Sequence, residues 1–200
     1  MNTYLRYMLP LYFIIYFLFL IVIRAWKVQK TIGKNPVVLS KADDAHGLIS
    51  AYFLIWISIL GIYTIIFSFF PSGYKYFFPM EYLESGALKL TGLVLLLISL
   101  LWTYIAQADM HGSWRIGIDE SVKTNLVTQG IFRFSRNPIY LGMLASVFGL
   151  VLVTPNALTV MLLIVGFVLV QIQVRLEEDF LFKMHGNSYS HYKQKVARFI

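Results

Sequence analysis

Five long apolar runs, separated by polar connections, constrain this chain more than any other feature. They extend from Tyr7 to Ile23, Gly47 to Phe70, about Gly86 to Ala108, Pro138 to Thr154, and Ala157 to Val174. About 20 residues of helix cross the hydrocarbon layer of a bilayer, within a range of about 17–25. None of the runs alternates apolar with polar residues, so strands are not expected. The expected class is an all-α integral membrane protein with about five transmembrane helices. Composition agrees: 58% of the residues are hydrophobic and only 14% charged, against about a quarter charged in a soluble domain. At 200 residues one domain is expected. Three N-terminal transmembrane helices occupy residues 1–106, and a loop, a helical hairpin and a tail occupy 107–200. The first run has no small-residue cleavage site and leads into Trp26 and Lys27, so it reads as an anchor rather than a signal peptide.

The net charge of +7 is explained by where the basic residues fall. Of the 17 Lys and Arg, all but Arg6, Lys75 and Lys89 lie after the first run, after the third, or in the C-terminal tail. By the positive-inside rule these three regions are cytoplasmic and the N-terminus is outside. That removes the need to invoke a nucleic-acid partner. Absence of cysteine excludes disulfide and thiol chemistry. The stretch Lys30 to Asp44, polar with Gly33 and Pro36, reads as a cytoplasmic loop.

Only Pro155 and Asn156 separate the last two runs, which predicts a tight hairpin of two helices near the lower length limit. Gly142 with Ser146, and Ala145 with Gly149, are small residues four apart, a spacing that lets helix backbones approach closely in lipid.

Two polar stretches fall on the basic side. In "SRNPIYLGM", Ser135 to Met143, Asn137 suits an N-cap and Pro138 the first helical position. A helix start favours anions, so a carboxylate or phosphate could sit there beside Arg136. Equally, Arg133 and Arg136 could hold the loop at the phospholipid surface. In "QVRLEEDFLFKMHGNSYSHYKQKVARFI", the helix continues through Arg175 into a charged turn and stops at Gly186 and Asn187. Glu178 and Asp179 lie three and four residues from Arg175, within pairing reach. Glu177 points about 100° away from Glu178. Ionisable residues near membrane depth tend to face one another or a polar cavity; snorkelling of a helix end is the plainer alternative. "YSHYKQKVARFI" reads as a final amphipathic helix on the membrane surface. His46, His111, His185 and His191 have no ligand spacing and read as surface or loop residues, so no metal site is expected. Nucleophile-elbow, Walker and dinucleotide signatures are absent from the sequence, which empties the usual hydrolase and nucleotide classes.

Taken together, "LVTQGIFRFSRNPIYLGM" and "EEDFLFKMHGNSYSHYKQKVARFI" resemble two elements of the isoprenylcysteine carboxyl methyltransferases, over about Gly112 to Ile200. Phospholipid N-methyltransferases share the general pattern and membrane sterol reductases share it more loosely. The resemblance implies a membrane methyltransferase using S-adenosylmethionine, bound on the cytoplasmic side between the loop and the charged turn. By matching position it implies cofactor contacts from Thr124, Asn125, Leu126, Val127 and Phe132, and from Asn137, Pro138, Ile139 and Tyr140. Glu177 and Glu178 follow, one of them holding the ribose hydroxyls. Arg136 and Arg175 are the implied catalytic residues, orienting an anionic acceptor. Asn137 replaces a frequent His and Phe132 a frequent Tyr.

Methyl transfer to a carboxylate needs no general base, because the acceptor is already ionised. The demand is alignment and exclusion of water. The first acceptor that the resemblance implies is the carboxylate of a prenylated cysteine, entering from the lipid bilayer. A phospholipid amine is the alternative and would need a base, for which Glu178 or Asp179 is available. A nicotinamide-dependent sterol-type reductase, or a scaffold whose loops anchor to headgroups, are the competing classes. No obligate protein partner is inferred.

Overall fold

The computed structural model describes residues 4–38, 45–117 and 124–200. Its helices are α1 (Leu5–Ile32), α2 (Ala45–Phe69), α3 (Gly86–Asp109), α4 (Pro138–Val153), α5 (Ala157–His185) and α6 (Asn187–Lys195). Among the described residues there is no strand, only two isolated bridges. Helices α1, α2, α3 and α5 are long and apolar enough to cross a membrane, and α4 is a shorter apolar helix. At 16 residues, α4 is about 24 Å long. The all-α membrane class is what the apolar runs require.

Successive helices alternate in direction. At one end Arg6 donates from Nε and Nη2 to the carbonyl of Ser68, at 3.0 and 2.8 Å, tying the start of α1 to the end of α2. On that same end, Met80 N donates to Pro155 O and Ala157 N to Phe78 O. At the opposite end Arg24 donates to the carbonyls of Gln107 and His111, at 2.5 and 2.8 Å. There, too, the connections after α1 and α3 meet, Val38 N donating to Ile116 O and Ile116 N to Pro36 O. The basic connections therefore share one end of the bundle. Lys41 and Lys123 belong to them by sequence but lie outside the described residues.

Small residues set the tightest packing. A Cβ on Gly92 of α3 would lie 2.7 Å from the Gly149 carbonyl of α4 and 2.9 Å from Leu152 Cβ. Gly142 meets Thr103 in the same seam. The spacing of four in α4 is helix packing, as its pattern in lipid implies. Gly92→Ala should therefore destabilise the bundle by about 1–3 kcal/mol through overpacking, read as a lower unfolding midpoint in detergent. Gly86→Ala is the control, since nothing lies within 4 Å of a Cβ there.

The Pro155–Asn156 turn is fixed by a reciprocal cap. Asn156 Oδ1 accepts from Thr159 N at 3.0 Å, Thr159 Oγ1 accepts from Asn156 N at 3.3 Å, and Asn156 Nδ2 reaches Tyr63 Oη at 2.9 Å. Two sequence expectations need correcting. Helix α1 continues to Ile32 and ends on Gly33, at φ 72°, so the connection starts later than Lys30; residues 39–44 lie outside the described residues. The terminal helix spans Asn187–Lys195 and stops short of Ile200, burying Tyr189 and Tyr192 against the protein. Helix α5 runs for 29 residues through Arg175 and is capped by Gly186, at φ 53°, where the sequence places its end.

Candidate active site

The loop before α4 is anchored to the end of α3. Asp109 Oδ2 accepts from Ile131 N at 2.8 Å. Gly130 sits at φ 61° with its missing side chain directed at the Asp109 carboxylate, so only glycine fits both the backbone and the space. The short turn Gly130–Arg133 buries Ile131 and Phe132 against Ala106, flanked by Trp102, Met110, Val127 and Ile139. Tyr192 Oη closes the other side by donating to Phe132 O at 2.7 Å.

Asn137 occupies the N-cap position of α4, but its side chain makes no cap hydrogen bond. It donates instead from Nδ2 to the carbonyl of Arg198 at 3.1 Å, while Ser135 Oγ takes the Asn137 N–H at 3.2 Å. Arg136 N donates to Ala197 O. The C-terminal residues thus form a strap over "SRNP".

The strap is locked by Glu178, which is 4% exposed. Its carboxylate meets Arg136 Nη2 at 2.7 Å, Arg198 Nη2 at 2.8 Å and Lys193 Nζ at 3.7 Å. Arg136 also donates to the carbonyls of Lys193 and Val196, at 3.0 and 2.6 Å. The hydrogen bond to Glu178 holds the Arg198 guanidinium above its ordinary pKa. Burial pushes the Tyr189 hydroxyl up to about 12, so it stays neutral under this cluster. One expectation fails here: Arg175 pairs with neither Glu178 nor Asp179, but is exposed and donates to Gln171 O and Oε1, at 2.6 and 2.8 Å. Glu178 faces its arginines, one of the two arrangements expected of such an acid, and lines neither of the two cavities described below.

Glu177, one residue earlier, points the other way, as helical geometry requires. Tyr140 Oη donates to Glu177 Oε1, and Gln173 Nε2 donates to the same oxygen at 2.8 Å. His46, at the start of α2, lies near enough to interact with it electrostatically.

Two cavities meet at this carboxylate. The larger, about 340 Å³, lies between α1, α2, α3, α4 and α5 and is lined mainly by Leu, Ile, Phe and Tyr side chains. The smaller, about 120 Å³, is lined by Thr124, Asn125, Leu126 and Val127 together with Ser113, Phe180 and Tyr192. Arg115, Phe132, Arg136 and Glu177 line both. Asn137, Pro138, Ile139 and Tyr140 line the larger. The structure thus gathers eleven of the thirteen residues singled out by sequence and leaves out Glu178 and Arg175. Sequence reasoning missed Asp109, Arg115 and Gln173. Of these only Gln173 had a local signal, its spacing of four from Glu177. Among the described residues no group of acids and histidines could hold a metal.

A family model described as phospholipid methyltransferase matches residues 88–188, which run from α3 through the loop and α4 to the start of α6. No curated protein matches the chain. The matched stretch carries the loop anchor, the Tyr140–Glu177 contact and the shared wall of both cavities. Methyltransferases of this family ordinarily take their methyl group from S-adenosylmethionine, and the family stands in the same integral-membrane group as the isoprenylcysteine enzymes that the sequence resembles. The chain belongs to the phospholipid methyltransferase family.

Proposed function

We propose that this protein transfers a methyl group from S-adenosylmethionine to the amine of a phospholipid, at the junction of the two cavities. The observation that carries the reading is the position of Glu177 on the wall common to both. The smaller cavity fits a nucleoside-bearing cofactor in its donor set: Thr124 and Asn125 offer polar groups, Leu126, Val127 and Phe132 apolar surface, and Glu177 a carboxylate. Of the two acids implied for the ribose hydroxyls, Glu177 is the one within reach. S-adenosylmethionine supplies an electrophilic methyl group on a positively charged sulfonium. Glu177 provides the negative charge that lets a sulfonium and an ammonium approach each other in a low-dielectric site. It also accepts the proton that the ammonium must lose before its nitrogen can attack. Tyr140 and Gln173 hold the carboxylate in place, and the apolar cavity takes the acceptor's hydrophobic body and excludes water.

The prenylcysteine carboxylate, first expected from the resemblance, required an arginine to orient it. Of the two arginines expected for that role, Arg175 lies outside both cavities and Arg136 is held by Glu178 and two carbonyls, so the role would fall to Arg115 on the shared wall. A carboxylate acceptor would also sit beside Glu177 as a like charge. The basic end of the bundle, which carries this site, is assigned to the cytoplasm by charge bias. The test is transfer of radiolabelled methyl, in parallel, to phosphatidylethanolamine and to a farnesylated cysteine analogue. Base-stable label on the phospholipid is expected; base-labile label on the farnesyl compound alone would overturn the amine assignment.

A further inference from the structure

Helix α4 is too short for the layer its neighbours can cross. Its 16 residues rise about 24 Å, against a hydrocarbon core about 30 Å thick. Its first residues belong to the polar end of the bundle: Arg136 and Glu178 sit under the strap there, and Lys193 of the same cluster is exposed. The shortfall of about 6 Å therefore falls at the other end, on the turn at Pro155 and Asn156. Irregular backbone at that depth must have its polar groups paired and be kept from lipid. Both conditions are met. Thr154, Pro155 and Asn156 are buried. The connection between α2 and α3 lies over them, held by Met80 N donating to Pro155 O at 2.9 Å and Ala157 N to Phe78 O at 3.2 Å.

That connection carries aromatic residues on both of its sides. Tyr74 and Phe77 face inward, with ring centroids 5.5 Å from Phe67 and 5.3 Å from Tyr63. Phe70, Tyr76, Phe78 and Tyr82 face outward; Phe78 is 76% exposed and Tyr82 82%. Lys75 and Glu81 stand exposed among them, and Lys75 Nζ lies 5.1 Å from the centre of the Tyr76 ring. Aromatic rings mixed with a lysine at the end of a bundle are the composition of a membrane–water interface. Phe78 is also at φ 55°, a left-handed conformation that strains a bulky side chain. In a turn surrounded by water, glycine or asparagine would relieve the strain and leave no ring exposed. A phenylalanine there is favourable where its ring leaves water. Ile62, Ile65 and Phe69 continue the exposed apolar surface along α2, so the patch adjoins a face that the bilayer covers.

We propose that the 70–85 connection is a membrane-inserted cap, whose outward aromatic face docks into the leaflet opposite the candidate active site, at the boundary between headgroups and acyl chains. The occupant of this face is the phospholipid bilayer itself. The cap extends the hairpin of α4 and α5 to the full thickness of the layer without lengthening α4. Lys75 and Glu81 offset each other, so docking rests on the rings and needs no anionic lipid.

The chain has no cysteine, so a single introduced one takes a nitroxide label specifically. Phe78→Cys and Tyr82→Cys are compared with Leu97→Cys, on the exposed middle of α3, and with Lys34→Cys, exposed at the opposite, basic end. Each full-length chain is reconstituted in vesicles of phosphatidylcholine, which carry no net charge. Collision of the label with oxygen, which concentrates in lipid, is measured against collision with a water-soluble nickel chelate. The oxygen-to-nickel ratio at the Phe78 and Tyr82 positions should stand several-fold above that at Lys34 and several-fold below that at Leu97. A ratio at either position equal to that at Lys34 overturns the inference, and so does one equal to that at Leu97. The parent chain gives a check free of substitution. A phosphatidylcholine with a carbene precursor at the top of its acyl chains should label residues 76–82 on illumination, and no label there overturns the inference as well.

Discussion

Glu177→Gln should lower methyl transfer by a factor of about 10²–10⁴, the usual range for removal of a positioned acid or base, without unfolding the protein. The substitution is nearly isosteric, and a glutamine oxygen still accepts from Tyr140 and Gln173, the two donors Glu177 has. Only the charge and the proton-accepting capacity disappear. Turnover with S-adenosylmethionine and phosphatidylethanolamine, measured beside the unfolding midpoint in detergent, reads the two effects separately. Activity within tenfold of the parent would show that the carboxylate is a packing residue of α5. Tyr140→Phe should follow in the same direction by a smaller factor, since it removes one of two bonds that orient the carboxylate.

Glu178→Ala should act on stability. It leaves the Arg136 guanidinium, whose side chain is 7% exposed, in a closed site without its counter-ion, and releases Arg198 and Lys193 with it. Breaking one side of a buried ion pair costs about 3–5 kcal/mol, a large part of the 5–15 kcal/mol typical of a folded domain. The strap over "SRNP" should loosen first, so trypsin should cut at Lys193 and Lys195 faster than in the parent protein. Arg175→Ala provides the contrast. Its side chain bonds only within its own helix turn, and the change should stay within about 0.5 kcal/mol. Equal effects from the two substitutions would contradict the separation of adjacent acids into a lock and a site.

That separation was half legible in the sequence. The angle of about 100° between successive helical residues already put Glu177 and Glu178 on different faces. Which of them met the cavity depended on partners far away. Spacing offered Glu178 an arginine three residues earlier, yet Arg136 and Arg198 take it, 42 and 20 residues distant. They win because the strap encloses them with the carboxylate, where charge-assisted bonds are strong, while Arg175 stays in solvent. Asn137 repeats the lesson. Its sequence placed it at the start of α4, and it is there, but the carbonyl of Arg198, 61 residues on, takes its side chain. Apolar runs, the Pro155–Asn156 turn and the stop at Gly186 were readable because their causes are local. The contacts of Tyr12 with Ser99 and Ser146, at 3.3 and 2.8 Å, were not. The three residues are scattered through three apolar runs, where each alone is an ordinary polar residue in a helix. Only the crossing of α1, α3 and α4 brings them together.

Calorimetric titration of the purified chain with S-adenosylhomocysteine tests the central claim most directly. Saturable binding to one site per chain is expected, weakened when Asn125 or Phe132 on the smaller cavity is replaced by a bulkier or charged residue and unchanged by Arg175→Ala. No measurable binding by folded protein would contradict the account, whatever lipids the protein retains.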